Sequence, residues 1–321
     1  MKWLSDDKLN HLQTIVSDPD FTSTKYSFVK ELGRGGMGAV YLVEDRELNR
    51  LVAVKVLNTP DVTDDLRRRM IREAQIIAGL EHPGIVPVHD VGTLPDGRIY
   101  YAMKFVRGSR LDEYATQAAS LRDRLRKFQS VCDAVAFAHA HGVIHRDLKP
   151  QNIMIGAFGE VLVLDWGVAK LFQPQIDSDK RRSISDNPRQ STSNQTMDGT
   201  VIGTRDYMSP EQARGEIDQV DERADVYSLG VVLDFLLAGH ASKTAKAICL
   251  KAMAHAPEGR YASASELSAD IGRLLDAEPV SAYRENLIEK AGRWVGKNRF
   301  LVLLVLAYLL MRIILIFTSR S

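Results

Sequence analysis

"HRDLKPQN", residues 145–152, sets His, Arg, Asp, Lys and Asn within eight positions with little apolar between them. Side chains of this kind are costly to bury without partners, so the stretch reads as a site and not as core. Upstream lies a helical pattern, "LRDRLRKFQSVCDAVAFAHAHG" (121–142), with apolar residues at helix spacing. Downstream are two short apolar strands, "IMIG" (153–156) and "EVLVLDW" (160–166), around a turn at 157–159. A polar loop between a helix and a hairpin can hold its side chains in fixed positions.

Further out, the chain divides in two. Over 26–106 the runs "YSFVKELG", "AVYLVEDR", "LVAVKVL" and "IYYAMKFV" are β-rich and separated by Gly, Asn, Pro and Asp turns. One helix interrupts them, "TDDLRRRMIREAQIIAGL" (63–80), with Thr63 as its N-cap. Its "RRRMIR" run reads as a solvated face, since the same helix carries acids. After Gly108 the pattern turns helical and continues to about Asp276, broken by a polar stretch at 172–200 that reads as a long loop. Residues 1–25 read as a leader without the apolar run of a signal peptide.

A length of 321 residues suits two domains or one bilobal one. The net charge of +1 exerts no global pull towards nucleic acid, and no nucleic-acid partner is expected. Two cysteines, Cys132 and Cys249, sit in apolar helices, too few and too scattered for a disulfide or metal framework.

The last part of the chain differs. Of the 18 residues in "FLVLLVLAYLLMRIILIF" (300–317), 14 are Leu, Ile, Val or Phe. At about 1.5 Å per residue the segment reaches ~27 Å, close to the ~30 Å hydrocarbon core of a bilayer. Its apolar residues contribute roughly −6 kcal/mol on insertion scales against about +3 at most for Arg312. Residues 300–317 are therefore expected to span a membrane, with 279–299 as a basic segment beside it and 318–321 as a short tail. With four residues after the expected span, no external sensor domain is expected.

Four more motifs accompany the opening one. "GRGGMGAV" (33–40) fits G-x-G-x-x-G-x-V, and a strand-like run follows it where a dinucleotide-binding turn would open a helix. "VAVK" ends in Lys55, Glu73 lies on the following helix, and "LDWG" (164–167) carries Asp165. In this order the motifs match the general phosphoryl-transfer template. Residues 26–276 thus resemble a protein kinase of the bacterial, eukaryotic-like (Hanks-type) Ser/Thr class.

The resemblance implies an α+β bilobal fold. A small lobe (26–106) has an antiparallel sheet and one helix, and a mainly helical large lobe (107–278) completes a domain at 26–278. The loop through Leu32, Gly33, Arg34, Gly35, Gly36, Met37 and Gly38 would cover the ATP phosphates. Val40 and Ala53 would roof adenine, Met154 would floor it, Met103 would guard the back pocket, and Lys104, Phe105 and Val106 would form the hinge. Lys55, fixed by Glu73, would hold the α- and β-phosphates. Asp147 would accept the substrate proton, Lys149 would steady the transferred phosphoryl group, and Asn152 and Asp165 would hold Mg²⁺, with Mn²⁺ as a substitute. Glu211 would pair with Arg260, Asp225 would anchor the catalytic loop, and Arg146 would read phosphate on the activation loop. For that phosphate the expected acceptors are Thr196 and Thr200, then Ser191, Thr192 and Ser193.

Two departures from the family pattern stand out. Trp166 replaces the usual Phe after the metal-binding Asp, and after "DFLLAGH" a loop and helix common in the family are missing. The implied partners are ATP, protein substrates, membrane lipid, and a second copy for trans-autophosphorylation. The implied location is the cytoplasmic membrane, crossed once, with the kinase domain inside. The rival reading is a pseudokinase scaffold that binds nucleotide or partners without transferring phosphate.

Overall fold

The computed structural model describes residues 19–35, 38–57, 71, 74, 75, 77–117, 120–166, 206–216, 220–239 and 242–318. Strands β1 (Tyr26–Gly35), β2 (Gly38–Asp45), β3 (Arg50–Leu57), β4 (Val88–Thr93) and β5 (Ile99–Lys104) form an antiparallel sheet in the order β1-β2-β3-β5-β4. Local chemistry closes its turns: Asp45 Oδ1 accepts the N–H groups of Glu47 and Leu48 at 3.2 Å each, and Asn49 takes a positive φ of 47°.

Alternation along β3 positions the site. Successive strand residues face opposite sides of a sheet. Val52, Val54 and Val56 bury on one side, with Tyr26, Tyr41, Val43 and Tyr100. Ala53 belongs instead to an apolar cluster on the other side, which holds Met103 and Leu162 and so joins the two lobes. Lys55 shares the face of Ala53.

A second sheet pairs β6 (Gly108–Arg110), β7 (Ile153–Gly156) and β8 (Val161–Val163) in sequence order. The start of the large lobe is thus a strand where a helical pattern was expected. Gly108 permits it, because a Cβ there would lie 2.0 Å from the Ile155 carbonyl oxygen. The small lobe connects to this hairpin through Val163, whose N–H donates to Gly84 (2.8 Å) and whose carbonyl accepts from Val86 (3.2 Å).

The helices are α1 (Leu111–Thr116), α2 (Leu121–Ala140), α3 (Pro210–Ala213), α4 (Glu222–Leu237), α5 (Lys243–Ala252), α6 (Ala264–Leu275), α7 (Leu287–Lys297) and α8 (Arg299–Thr318). Ser120, Ser242 and Ser263 cap α2, α5 and α6 by accepting the N3 amide. The core lies between α2, α4, α5 and α6, with Phe128, Val135, Leu229, Leu233, Ile248 and Ile271 all inaccessible. Cys132 and Cys249 are buried free thiols within it, as the sequence implies. Helix α5 starts at Lys243, soon after α4 ends at Leu237, in agreement with the expected shortening of this lobe.

Packing continues past the expected domain edge at 278. Val280 is buried in the large-lobe core, with Ala282 and Tyr283 packed against it. One buried carboxylate secures this strap. Asp270 accepts from Ser281 N–H (2.8 Å), Ser281 Oγ (2.7 Å), Ala282 N–H (3.1 Å), Tyr261 Oη (2.8 Å) and Arg273 (2.6 Å). Burial would raise its carboxyl, but these bonds hold it below its ordinary value.

Among the described residues no helix is long and apolar enough to cross a membrane. The expectation of a span over 300–317 is therefore carried by the sequence and not by the fold.

Candidate functional site

The 145–152 segment forms a loop between α2 and β7, closed by a 3₁₀ turn at Pro150–Asn152. Its backbone bends at Arg146, whose φ of 65° is uncommon for a residue with a side chain. Asp225, fully buried at the start of α4, holds that bend. Its Oδ2 accepts the N–H of His145 and its Oδ1 that of Arg146, both at 2.8 Å, and His139 Nε2 donates to Oδ2 at 2.7 Å. Burial would raise this carboxyl, yet the hydrogen bonds from the His139 ring and from the His145 N–H leave it below its ordinary value.

His145 fastens the loop to the strand that bears Asp165. Its Nε2 faces the Leu164 carbonyl at 2.9 Å and therefore carries the proton, so Nδ1 accepts from Asp147 N–H at 3.3 Å. Burial pushes the imidazole below its ordinary value, which favours this neutral form. Trp166 is almost fully buried, stands 4.8 Å from the His145 ring, and donates Nε1–H to the Val163 carbonyl at 3.2 Å. The larger ring in place of Phe is thus accommodated, with its polar atom satisfied.

On this frame the charged groups converge. Lys149 Nζ donates to Asp147 Oδ2 at 3.0 Å. Asn152 Nδ2 donates to the Asp147 carbonyl (2.8 Å) and to its Oδ2 (3.2 Å). From the opposite lobe, Lys55 Nζ reaches Asp165 Oδ1 at 2.5 Å. Burial would lower the Lys55 ammonium, but Tyr101, its cross-strand neighbour, and Asp165 hold it above its ordinary value. Lys55 therefore remains a fixed positive charge in the cleft. Asp165 itself has a positive φ of 51°.

Both recorded bonds of the Asn152 amide use its nitrogen, leaving the oxygen for a cation. With the second carboxylate oxygen of Asp165 this is an all-oxygen donor set of the kind Mg²⁺ takes. Among the described residues no group of three or more His, Cys, Asp or Glu could hold a metal, so any ion here would need oxygens from elsewhere.

Beside the charges lies the apolar cluster between the lobes. It contains Ala53, Met103 and Val106 as buried members, with Val40, Phe105 and Met154 packed against them. Six positions expected around adenine therefore form one surface. Leu32 is exposed on β1, as is Lys104 at the end of β5. Nothing lies within 4 Å of where a Cβ would stand on Gly33 or Gly35, so both positions face open space. Arg34 turns instead to Glu31 (2.6 Å) and Tyr41 (3.2 Å).

Glu211 and Arg260 meet as expected. The guanidinium grips both carboxylate oxygens at 2.7 and 2.8 Å, and both side chains are buried. Arg260 also donates to the carbonyls of Ala254, Arg223 and His255. Burial opposes the Glu211 charge, but Arg260 outweighs it and brings the carboxyl down to about 2.

Gly36, Met37, Glu73, Ser191, Thr192, Ser193, Thr196 and Thr200 lie outside the described residues. Two functional neighbours escaped the sequence reading. His139, which no motif marks, bonds Asp225. Gln212 donates its amide to the Arg146 carbonyl at 2.9 Å and so ties α3 to the loop. The S-x-x-Q spacing of a capping box at Ser209–Gln212 was the available signal for the second; none marked the first.

A family model described as protein kinase domain matches residues 26–276. The serine/threonine-protein kinase PknB of Mycobacterium tuberculosis is 37% identical over 302 residues, covering 83% of this chain and 45% of that protein. The serine/threonine-protein kinase PknD of Chlamydia felis is 34% identical over 300 residues, covering 79% of this chain and 31% of that one. The chain thus spans less than half the length of these curated relatives. Among solved structures, the Mycobacterium tuberculosis PknI kinase domain is similar with a TM-score of 0.56 and 26% identity, over 78% of this chain and 96% of that one.

Proposed function

The chain belongs to the protein kinase domain family, and from that premise we propose that it transfers the γ-phosphate of ATP to serine and threonine hydroxyls of proteins. The observation that carries this reading is the meeting of Asp147, Lys149 and Asn152 on one loop with Lys55 and Asp165 across the cleft. Phosphoryl transfer asks a protein mainly for positioning and charge stabilisation. Asp147 takes the proton of the incoming hydroxyl, while Lys149 beside it offsets charge on the moving group. Lys55 holds the α- and β-phosphates, and the apolar cluster around Ala53 and Met154 takes the adenine ring. Asn152 and Asp165 would hold a divalent metal, Mg²⁺ by its preference for oxygen ligands, which would supply positive charge against the phosphates.

Three further parts belong to the same proposal. Residues 300–317 anchor the protein in the cytoplasmic membrane, because their apolar length matches a bilayer, and residues 1–299 stay on the ATP side, in line with the basic residues from Arg284 to Arg299. The polar segment between Asp165 and Glu211 is a substrate of the enzyme itself, with a second copy acting in trans. Phosphate there, about −1.5 to −2 charges, makes charge-assisted bonds to Arg146. Thr196 and Thr200 lead the acceptor list.

Incubation of the protein with labelled ATP, Mg²⁺ and a protein substrate tests the central reading, with Asp147→Asn as control. Wild-type protein that binds ATP yet transfers nothing under any metal condition would establish the scaffold reading instead. Mass spectrometry of active enzyme should find phosphate between 183 and 204. Full activity after phosphatase treatment would remove the switch and leave the kinase assignment.

A further inference from the structure

Helix α7 presents an apolar face to solvent. Leu287, Ile288, Ala291, Trp294 and Val295 fall at i, i+1, i+4, i+7 and i+8, one stripe of a helix. Leu287 is 83% exposed, Ile288 82% and Trp294 56%. The opposite side belongs to the kinase body. Glu289 accepts from Tyr283 Oη at 3.0 Å, and Tyr283 is packed on the large-lobe core. Glu289 also caps the helix through the N–H of Asn286 at 3.1 Å, and Lys243 on α5 lies 3.9 Å from it. Arg293, one turn on, grips Glu285 with both prongs. Both acids of the segment are thereby engaged on the body side, while Arg284 and Lys290 are exposed.

Two observations say what covers the apolar face. The first is continuity: α8 follows directly, with exposed apolar side chains at Phe300 and again from Leu303 to Met311. The second is charge. Arg284 and Lys290 are exposed beside a stripe containing Trp294, while Glu285 is taken by Arg293 and Glu289 by Tyr283 and Lys243; Lys297 and Arg299 add two more basic residues in sequence. A helix with Trp and Leu on one side and basic residues on the other is suited to lie in the plane of an anionic lipid surface.

We propose that α7 lies flat in the headgroup region of an anionic bilayer, with Leu287, Ile288, Trp294 and Val295 among the acyl chains and Arg284 and Lys290 at the phosphates. The strap clamped by Asp270 joins this helix to α6, so the lipid surface sets the orientation of the large lobe as well as its distance. The proposal deepens the anchoring reading above, which concerns α8 alone.

The test uses the full chain with phosphatidylcholine vesicles, with and without phosphatidylglycerol. Flotation reports association, and quenching by lipid brominated near the headgroup reports depth. The Trp294 contribution is the difference from Trp294→Phe, which retains Trp3 and Trp166. On anionic vesicles the expected result is shallow quenching of Trp294, lost in Leu287→Glu/Ile288→Glu and weakened by Arg284→Gln/Lys290→Gln or by high salt. Protein that floats with Trp294 unquenched overturns the α7 proposal and leaves the α8 anchor standing. Flotation only on anionic vesicles, abolished by the Leu287/Ile288 pair, supports α7 and removes the α8 span. No flotation on either vesicle overturns both, and a dimer that buries Trp294 in place of lipid overturns the α7 proposal alone.

Discussion

The carboxylate of Asp225 accepts the backbone N–H of Arg146 at 2.8 Å, and Arg146 is held there with a φ of 65°. The two residues are 79 positions apart in sequence. A left-handed backbone at an arginine costs about 1–3 kcal/mol and persists only where the surroundings determine it. Asp225 determines it from beneath, Gln212 from the side through the Arg146 carbonyl, and the loop then delivers Asp147 into the cleft.

Asp225→Ala should therefore damage both stability and catalysis. It leaves the N–H groups of His145 and Arg146 and the His139 ring without their acceptor in a dry interior. Breaking a buried charged partner set of this kind costs about 3–5 kcal/mol. For a domain of this size that is a fall in Tm of roughly 10 °C. Calorimetry and steady-state kinetics check it, with kcat expected to fall more than ATP affinity. Unchanged stability would show that the loop holds its shape without Asp225.

The Glu211–Arg260 pair makes a pH prediction whose sign is fixed by its charge. Glu211 lies near 2 when folded, against an ordinary value of 4.5. Its contribution is complete above about 4.5 and is lost as the pH falls from there towards 2. The magnitude is on the order of 3 kcal/mol. Arg260→Met should destabilise by about 3–5 kcal/mol at neutral pH, because it strands a buried carboxylate. The same variant should lose the wild-type decline between pH 4.5 and 2. Denaturant titrations across that range decide it, and parallel curves for the two proteins would contradict the assignment.

Much of this arrangement was legible in the sequence, for a physical reason. Residues that handle charge in a cleft cannot be exchanged for others of like hydropathy, so "HRDLKPQN", "VAVK" and "LDWG" announce themselves by composition and order. Period-two alternation likewise separates Ala53 and Lys55 from Val52, Val54 and Val56. Contacts between distant segments leave no such trace. His139 meets Asp225 across 86 residues, and nothing local distinguishes it from His141, which bonds its own helix at Phe137. The strap at 278–283 was missed for the same reason, since Asp270 looks like any polar helix residue until Tyr261 and Ser281 are brought to it. The small strand β6 escaped because three residues beginning with glycine have no periodicity to read.

His145 should stay neutral below the pH at which a free histidine protonates. Burial lowers its pKa, and its Nδ1 already accepts from Asp147 N–H. Below about 6.5 the unfolded chain takes up a proton that the folded loop resists, so this residue makes stability fall as the pH falls. Nitrogen chemical shifts should show an Nε2–H tautomer that persists through pH 6. His145→Phe keeps a ring beside Trp166 but leaves the Leu164 carbonyl and Asp147 N–H unpaired, a loss of about 1–3 kcal/mol. An imidazolium at pH 6.5 in the folded protein would overturn the tautomer assignment.

Lys55 and Asp165 make the most direct test of the cleft, because they are joined at 2.5 Å and the proposed roles pull them apart. Asp165 is to hold a cation, and Lys55 is to hold phosphate. In the free protein the ammonium occupies one carboxylate oxygen and repels a metal ion from the other. Lys55→Met should therefore have opposite effects on the two ligands. Divalent-metal binding without nucleotide should tighten, because a positive charge beside Asp165 is gone. Nucleotide affinity should weaken, and phosphate transfer should fall by about 10²–10³-fold or more, since a preorganised charge on the phosphates has been removed. Stability should change by only about 1 kcal/mol, because the Asp165 side chain is 40% exposed and water can solvate it. Asp165→Asn should weaken metal binding instead, while leaving Lys55 in place. Mn²⁺ titration followed by paramagnetic resonance, with and without a non-hydrolysable ATP analogue, reads all of these. If Asp165→Asn left metal affinity unchanged or raised it, Asp165 would not be the residue that holds the ion.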